Sequence, residues 1–328
     1  MANDRTDRRQ DKMKIHTILN RDGGTLKTTD LDLFSSLIID EFRLHGHAAT
    51  VEPIAGEDIE EALRKAAGRD DIDVLLVGGG DGTVSTAAGA LMNGKIALGI
   101  IPAGTMNLFA RTLQIPQDIN TAVAALSDGT IIEVDIATVN GTPFIHQFAV
   151  GMHARMVRMR QKFDYGSRIG KMFATTRALV ATLKSLPLVE AEIDIDGTTR
   201  RIRTPALAVS NNVYGDGHLP FADNPQGGEL GVYICETRDV RSVTRLTLDI
   251  LVGAWRGNSS LKTYTAQKVV IDYSGSHNRD RAVCDGELRD LEARSVVEIH
   301  AKALRVLVPS DARYQAAKTI GTDAKTPA

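Results

Sequence analysis

Along the first part of the chain, short apolar runs alternate with stretches whose hydrophobic residues recur at helical spacing. Residues 14–20 read as a strand ending at Asn20, and Leu33, Leu37, Ile38 and Phe42 place a helical stripe over 30–45. A strand near 48–53, a helix at 57–67, a strand at 72–77, a strand at about 96–101 and a helix at about 117–127 follow. This βαβα alternation predicts a parallel sheet covered by helices on both faces.

From about residue 130 the pattern changes to short strands separated by turn residues. Runs at 130–139 and 142–150 are joined by Asn140-Gly141, and Asp196-Gly197 marks a second hairpin. Further strands are expected at 189–196, 200–210, 230–236, 261–273, 295–301 and 304–308, which together predict an antiparallel sandwich. The boundary is placed near residue 134. Two helices interrupt this half. Residues 151–163 carry Met152, Met156 and Met159 on one face and Arg155, Arg158 and Lys162 on another, and 166–184 continue with Arg168, Lys171, Arg177 and Lys184. Two readings stand: a methionine face packed on the sandwich beneath solvated bases, or basic amphipathic helices lying on anionic lipid.

Composition narrows the class. The 328 residues exceed one comfortable core, so two domains are expected. The 39 basic and 41 acidic residues nearly cancel, so the composition implies no global polyanion-binding surface and no nucleic-acid partner is expected. Cys235 and Cys284 give neither a disulfide framework nor metal-ligand spacing, which suits buried small residues in a reducing compartment. Residues 1–13 are charged and read as a disordered tail without a secretory h-region, and no run of about 18 apolar residues predicts a transmembrane helix.

The chemistry concentrates in Val77-Gly78-Gly79-Gly80-Asp81-Gly82-Thr83-Val84. Glycines let backbone N–H groups approach an anion closely, and a helix beginning near Thr83 adds its unpaired N–H groups and positive dipole end. Asp81 beside a phosphate implies an intervening cation or a proton-handling role. The turn at Pro102-Ala103-Gly104-Thr105-Met106-Asn107 repeats the layout, with Thr105 as expected N-cap. Two such turns from neighbouring strands face one crevice at the carboxyl ends of an open sheet, which reads as a nucleotide site.

These motifs, with Phe109-Ala110-Arg111 and the distant Cys284-Asp285-Gly286-Glu287, resemble the catalytic region of the diacylglycerol kinase family. More particularly they look like the soluble bacterial lipid kinases related to sphingosine and ceramide kinases. The resemblance spans about residues 14–308. It implies an α/β nucleotide-binding domain over 14–133, with a parallel sheet like those of NAD kinases and diacylglycerol kinases, and a β-sandwich lipid-substrate domain over 134–308. Residues 309–328 are then expected to pack back on the first domain. It further implies an ATP- and Mg²⁺-dependent kinase that phosphorylates a primary hydroxyl of a membrane lipid, diacylglycerol or a sphingoid or ceramide acceptor. Such an enzyme would be cytoplasmic and peripheral at the inner membrane surface, with a homodimer as one option. Asn20, Gly78, Gly79, Gly80, Asp81, Gly82, Thr83, Gly104, Thr105 and Asn107 are the expected nucleotide contacts. Glu287 is assigned by resemblance as general base, with Asp285 as its supporting or metal-linked partner; on an extended stretch the two point to one face. Asp81 and Asp285, with Asp135, form the expected Mg²⁺ set, and for Asp135 an interdomain hydrogen bond is the equal alternative.

Departures keep other readings open. Only the Asn and a glycine of the family's early Asn-Pro-x-Ser-Gly motif survive near Asn20. Leu108 stands where relatives often carry Asp, and Gly227 where a carboxylate holds a structural Mg²⁺; Glu229 compensates only if its loop shifts. The glycine core is shared with NAD kinases, so an enzyme with a soluble nucleotide acceptor is one alternative and a catalytically weak nucleotide- or lipid-binding relative another. Gly151, His153, Tyr214, Gly215, His218 and Phe221 are expected along the crevice, with His153 hydrogen-bonded in its wall.

Overall fold

The computed structural model describes residues 12–161, 186–215, 220–274 and 281–314. Strands β1 (Lys14–Asn20), β2 (Ala48–Ile54), β3 (Val74–Gly79) and β4 (Ala97–Pro102) pair in parallel in the order β2-β1-β3-β4. Every residue of β3 and β4 is buried. Helices α1 (Leu31–Leu44), α2 (Ile59–Ala67), α3 (Asp81–Leu91), the short α4 (Leu108–Thr112) and α5 (Ile119–Ser127) connect the strands. Asp30 starts α1 by accepting the backbone N–H of Asp32 and Leu33, and Asp118 caps α5 on Thr121. Of the apolar stripe read from the sequence, Ile38 and Phe42 are buried and Leu37 is half-buried, whereas Leu33 is 70% exposed and Phe34, not part of that stripe, is buried in its place.

The second half is antiparallel. Strands β5 (Thr130–Val139), β6 (Thr142–Phe144), β8 (Val189–Ile195), β9 (Thr198–Thr204), β13 (Lys268–Tyr273) and β16 (Arg294–Val308) extend the first sheet to ten strands. Strands β7 (Gln147–Gly151), β10 (Ala206–Ser210), β11 (Leu230–Cys235), β12 (Leu261–Ala266), β14 (Arg281–Cys284) and β15 (Glu287–Asp290) form a second sheet, ordered β12-β11-β10-β7-β14-β15. Phe144, Ile193, Val269 and Val297 from one sheet pack with Phe148, Val209, Val232 and Cys284 from the other.

Three runs expected as single strands break where the chain changes sheets. The 142–150 run splits into β6 and β7, 200–210 splits at Pro205, and 261–273 splits at Gln267. Proline has no N–H for a ladder, so it suits the point where the chain leaves one sheet for the other. Conversely, 295–301 and 304–308 are one strand, β16, with a register shift between His300 and Leu304 and Lys302 at φ 56°.

Strand β16 belongs to both halves. Val297 lies in the sandwich core, whereas Leu304, Val306, Leu307 and Val308 lie in the core of the parallel sheet, where Val306 pairs with Leu98 of β4. Strand β5 crosses likewise, with Val134 and Ile136 in the first core and Ala137 and Val139 in the second. The halves therefore merge inside two paired strands, with no linker at the junction. Of the 309–328 segment expected to pack back, residues 309–314 contact the first half, where Arg313 exchanges hydrogen bonds with Gln114 and the Tyr314 hydroxyl donates to the Leu113 carbonyl at 3.2 Å; residues 315–328, like 1–11 of the expected tail, lie outside the described residues.

Helix α6 (Met152–Gln161) follows β7, and α7 (Val240–Leu251) follows β11. Lys162 and the helix expected over 166–184 lie outside the described residues. Helix α7 was not read from the sequence, although Asp239 caps it on Ser242 and it buries Val243 and Leu246. Its apolar residues Val243, Leu246 and Ile250 recur at helical spacing, a signal that the reading of this half as strands passed over. At the start of α6, Gly151 has φ +80°, and a Cβ there would sit 2.3 Å from the Pro205 carbonyl oxygen, which accepts the Met152 N–H. Gly151→Ala is expected to lower unfolding free energy by roughly 2 kcal/mol or more, measured by urea denaturation.

Candidate nucleotide and phosphoryl-transfer site

Strand β3 ends at Gly79, Gly80 is extended, and α3 begins at Asp81, two residues before the expected start at Thr83. The first-turn N–H groups of α3 have no intrahelical acceptors and open toward the adjacent loops. Close approach explains the glycines. A Cβ on Gly79 would lie 2.7 Å from Thr83 Cβ, and one on Gly104 would lie 2.7 Å from Gly80 Cα. On the third side, Gly24 at φ +43° presses against the Ala103 carbonyl, which accepts the Thr25 N–H at 2.8 Å. Asn20 Nδ2 donates to Thr83 Oγ1 at 3.1 Å, tying the end of β1 to α3. Asn20, Gly79, Gly80, Gly82, Thr83 and Gly104 therefore meet around one concavity. Gly78 does not belong to it: a Cβ there would strike Leu19 Cδ2 at 2.6 Å, so this glycine serves packing of β3 on β1.

Asp81 and Asn107 organise the second turn. Asp81 accepts the Asn107 N–H at 3.0 Å on Oδ2 and the Leu108 N–H at 2.7 Å on Oδ1. Asn107, at φ 49°, accepts the Gly104 N–H and donates to the Gly104 carbonyl, bracing the turn. Helix α4 starts at Leu108 with Asn107 as N-cap, so Thr105 is not the cap expected of it; it is exposed on the turn. Leu108, a departure in side chain, contributes its backbone N–H to Asp81.

From the second half, the β14–β15 hairpin reaches this concavity. Asp285 and Gly286 form its turn at φ 47° and 85°. Asp285 therefore does not share an extended face with Glu287. Its side chain turns inward and accepts the N–H groups of Ile145, His146 and Gln147 at 2.9, 2.9 and 3.0 Å, and the Ser85 hydroxyl at 2.5 Å. Burial raises its pKa, while these four hydrogen bonds pull the other way. Glu287 is exposed, and its Oε1 lies 3.3 Å from the position a Cβ on Gly82 would take. A carboxylate from the second half thus faces the glycine turn of the first.

Asp135 sits elsewhere. It is 1% exposed and accepts Asn212 Nδ2 and the Gly228 N–H, both at 2.7 Å, and the Lys302 N–H at 2.9 Å. This matches the hydrogen-bond alternative read for it. Glu229 is exposed, and Gly227 offers no side chain. Asp81, Asp135 and Asp285 therefore do not form the expected Mg²⁺ ligand set, because each carboxylate is engaged by N–H donors at its own place. Among the described residues no group of three or more His, Cys, Asp or Glu side chains converges as a metal site. Glu287 is the carboxylate left open to solvent beside the glycine turn.

His146 was not anticipated. Its ring stacks on Tyr214 at 5.6 Å, Tyr214 on Tyr233 at 4.8 Å, and Tyr233 meets Trp255 edge-on at 5.8 Å. Burial, then His153, lower the His146 pKa to about 4 against the opposing charge of Asp81. The imidazole is thus neutral at physiological pH. His153 hydrogen-bonds Gln147 at 3.1 Å, and Gln147 accepts from the Tyr214 hydroxyl at 2.7 Å, so both belong to the crevice wall. Gly215 is packed against Asp223 in the turn where its N–H donates to the Phe221 carbonyl; His218 lies outside the described residues. The only sequence signal for His146 was its place at the crossover between β6 and β7.

The chain is similar in sequence and in fold to known proteins. Residues 14–139 match the diacylglycerol kinase catalytic domain family. A Bacillus subtilis diacylglycerol kinase is 24% identical over 287 residues, covering 85% of this chain and 91% of that protein. An uncharacterised Synechocystis protein is 30% identical over 235 residues, which is 65% of this chain and 53% of that longer relative. A crystal structure of a diacylglycerol kinase from Bacillus anthracis superposes with a TM-score of 0.67 at 17% identity, covering 93% of this chain and 100% of that one.

Asp285→Ala leaves three backbone N–H groups without their acceptor and should destabilise the protein by roughly 3–5 kcal/mol in urea denaturation. A second expectation concerns pH. His146 is neutral in the fold and titrates at 6.5 when unfolded, so the stability it contributes is present above pH 6.5 and lost as pH falls toward about 4. Asp285, with its raised pKa, works in the opposite direction on acidification. His146→Gln should therefore flatten the fall in urea midpoint between pH 6.5 and about 4.

Proposed function

We propose, from the match of residues 14–139 to the diacylglycerol kinase catalytic domain family, that this chain transfers the γ-phosphoryl group of ATP to a hydroxyl of a membrane lipid. The observation that carries the reading is the position of Glu287 over Gly82, a carboxylate from one half facing a phosphate cradle in the other. Phosphoryl transfer asks for positioning, charge neutralisation and removal of the acceptor's proton.

The first-turn N–H groups of α3, with the Gly79-Gly80 and Gly104 turns, would hold the phosphates. Asp81 keeps the second turn in place through Asn107 and Leu108. Mg²⁺ arriving on the nucleotide would neutralise charge near Asp81 and Glu287. Glu287 accepts the proton of the acceptor hydroxyl as its oxygen attacks the γ-phosphorus. Asp285 is a positioning residue: it locks the hairpin that carries Glu287 onto Ser85 of α3.

The test is incubation with γ-labelled ATP and a lipid panel containing diacylglycerol, ceramide and sphingoid bases, beside NAD as a soluble acceptor. Labelled lipid is the expected product; labelled dinucleotide alone, or no labelled product, sinks the reading. Glu287→Gln should lower turnover by roughly two orders of magnitude or more, with an unchanged urea midpoint. Turnover like that of the wild type removes Glu287 from the mechanism.

A further inference from the structure

His146 stands where the two halves meet, at the crossover from β6 to β7. Its backbone N–H donates to Asp285 Oδ1 at 2.9 Å, so the residue lies directly behind the hairpin turn that carries Glu287. Its half-buried ring lies between the halves, within the field of Asp81 from the first and His153 from the second. Stacking holds it there. Tyr214 packs on it at 5.6 Å, and Tyr214 is itself fixed by donating its N–H to the Tyr233 hydroxyl at 2.8 Å and its own hydroxyl to Gln147 at 2.7 Å.

The polar side chains around His146 are engaged with one another. The Gln147 amide is used at both ends, by Tyr214 and by His153. Asp285 is filled by four donors, and Asp81 by the N–H groups of Asn107 and Leu108. His146 differs. Among the described residues neither of its ring nitrogens makes a hydrogen bond, and neither is a buried atom left unsatisfied, so both are open to the crevice. A neutral imidazole offers one N–H donor and one lone pair, and a ring already fixed by stacking gives up little freedom when it uses them. Burial makes this stretch of wall costly for a positive charge, as the lowered His146 pKa shows.

Lipid alcohols differ in what stands beside the reacting hydroxyl. Diacylglycerol with a terminal hydroxyl and ceramide both carry an acyl group on the carbon next to the hydroxymethyl, through an ester in one and an amide in the other. The acyl oxygen is therefore the same number of bonds from the attacking oxygen in both. A sphingoid base has an ammonium at that carbon and no carbonyl. With Glu287 over Gly82 and His146 behind the same hairpin, hydroxyl and carbonyl can each meet a separate partner. We propose that His146 is a specificity-determining residue whose ring N–H donates to the acyl carbonyl nearest the acceptor hydroxyl, selecting acylated alcohols over free sphingoid bases and over ethers of the same shape. The inference rests on the lipid-kinase reading and adds to it the feature of the acceptor that is recognised.

The full chain is tested with γ-labelled ATP on detergent-dispersed diacylglycerol, on a dialkylglycerol of equal chain length with ether oxygens in place of the esters, and on ceramide beside a sphingoid base. kcat/KM should favour ester over ether, and ceramide over sphingoid base, by about tenfold or more. His146→Phe keeps a ring against Tyr214 and removes both nitrogens. It should bring kcat/KM on diacylglycerol down to about that on the ether, with the ether itself changed by less than about twofold. His146→Asn, which retains a side-chain donor, should keep part of the preference. A side chain that only packs the wall would instead lower ester and ether alike. Equal kcat/KM of the wild type on ester and ether, a preference for the sphingoid base, or an equal loss on both glycerolipids in His146→Phe overturns the role of His146 and leaves the kinase reading standing; the first two comparisons need no variant to fold. No labelled product from any of these acceptors removes the kinase reading, and this inference with it.

Discussion

The site depends on one half-buried carboxylate. Asp285 binds three consecutive N–H groups of the chain at 145–147 and the hydroxyl of Ser85 on α3. It thereby fixes the position of one half's hairpin relative to α3 and the glycine turn of the other half. An ionised group in such a place is tolerable only because its oxygens are met by donors on several sides. Two residues later, Glu287 inherits that fixed position while staying open to solvent. One acid is spent on geometry, and the other is left open to solvent beside the glycine turn.

The same division recurs at the cradle. Asp81 grips the start of α4, Asn107 braces its own turn, and Asn20 holds Thr83. These polar side chains are directed at backbone and at one another, and the face presented to an anion is built of glycine and N–H groups. Rigidity in such a concavity favours phosphate binding because the donors need no reordering when the ligand arrives.

Much of this was legible in the sequence for identifiable reasons. The alternation of buried strands and amphipathic helices marked the parallel sheet, and glycines packed so densely between a strand and a helix have few uses besides close approach. Asn140-Gly141 and Asp196-Gly197 marked their hairpins because positive φ is needed there. What stayed hidden depends on contacts between residues far apart in the chain. Spacing alone cannot say that Asp285 finds partners 138 to 200 positions away, that Asp135 is enclosed by Asn212, Gly228 and Lys302, or that His146 stacks on Tyr214. Strand ends at Pro205 and Gln267 were blurred because β-prone residues continue on both sides of the sheet change. Gly78 was grouped with the cradle glycines by adjacency alone, although Leu19 is what requires it.

Strand β16 carries a further implication. Its last residues supply the neighbour of β4 and complete the core of the parallel sheet, while its first residues lie in the sandwich. The segment 14–139 that matches a catalytic-domain family is therefore not a self-sufficient folding unit in this chain. Expressed by itself it would leave the backbone of β4 and β5 unpaired along open edges, and such edges recruit other chains. A fragment cut at that point would be expected to aggregate, and the first half acquires its full sheet only once β16 has been made.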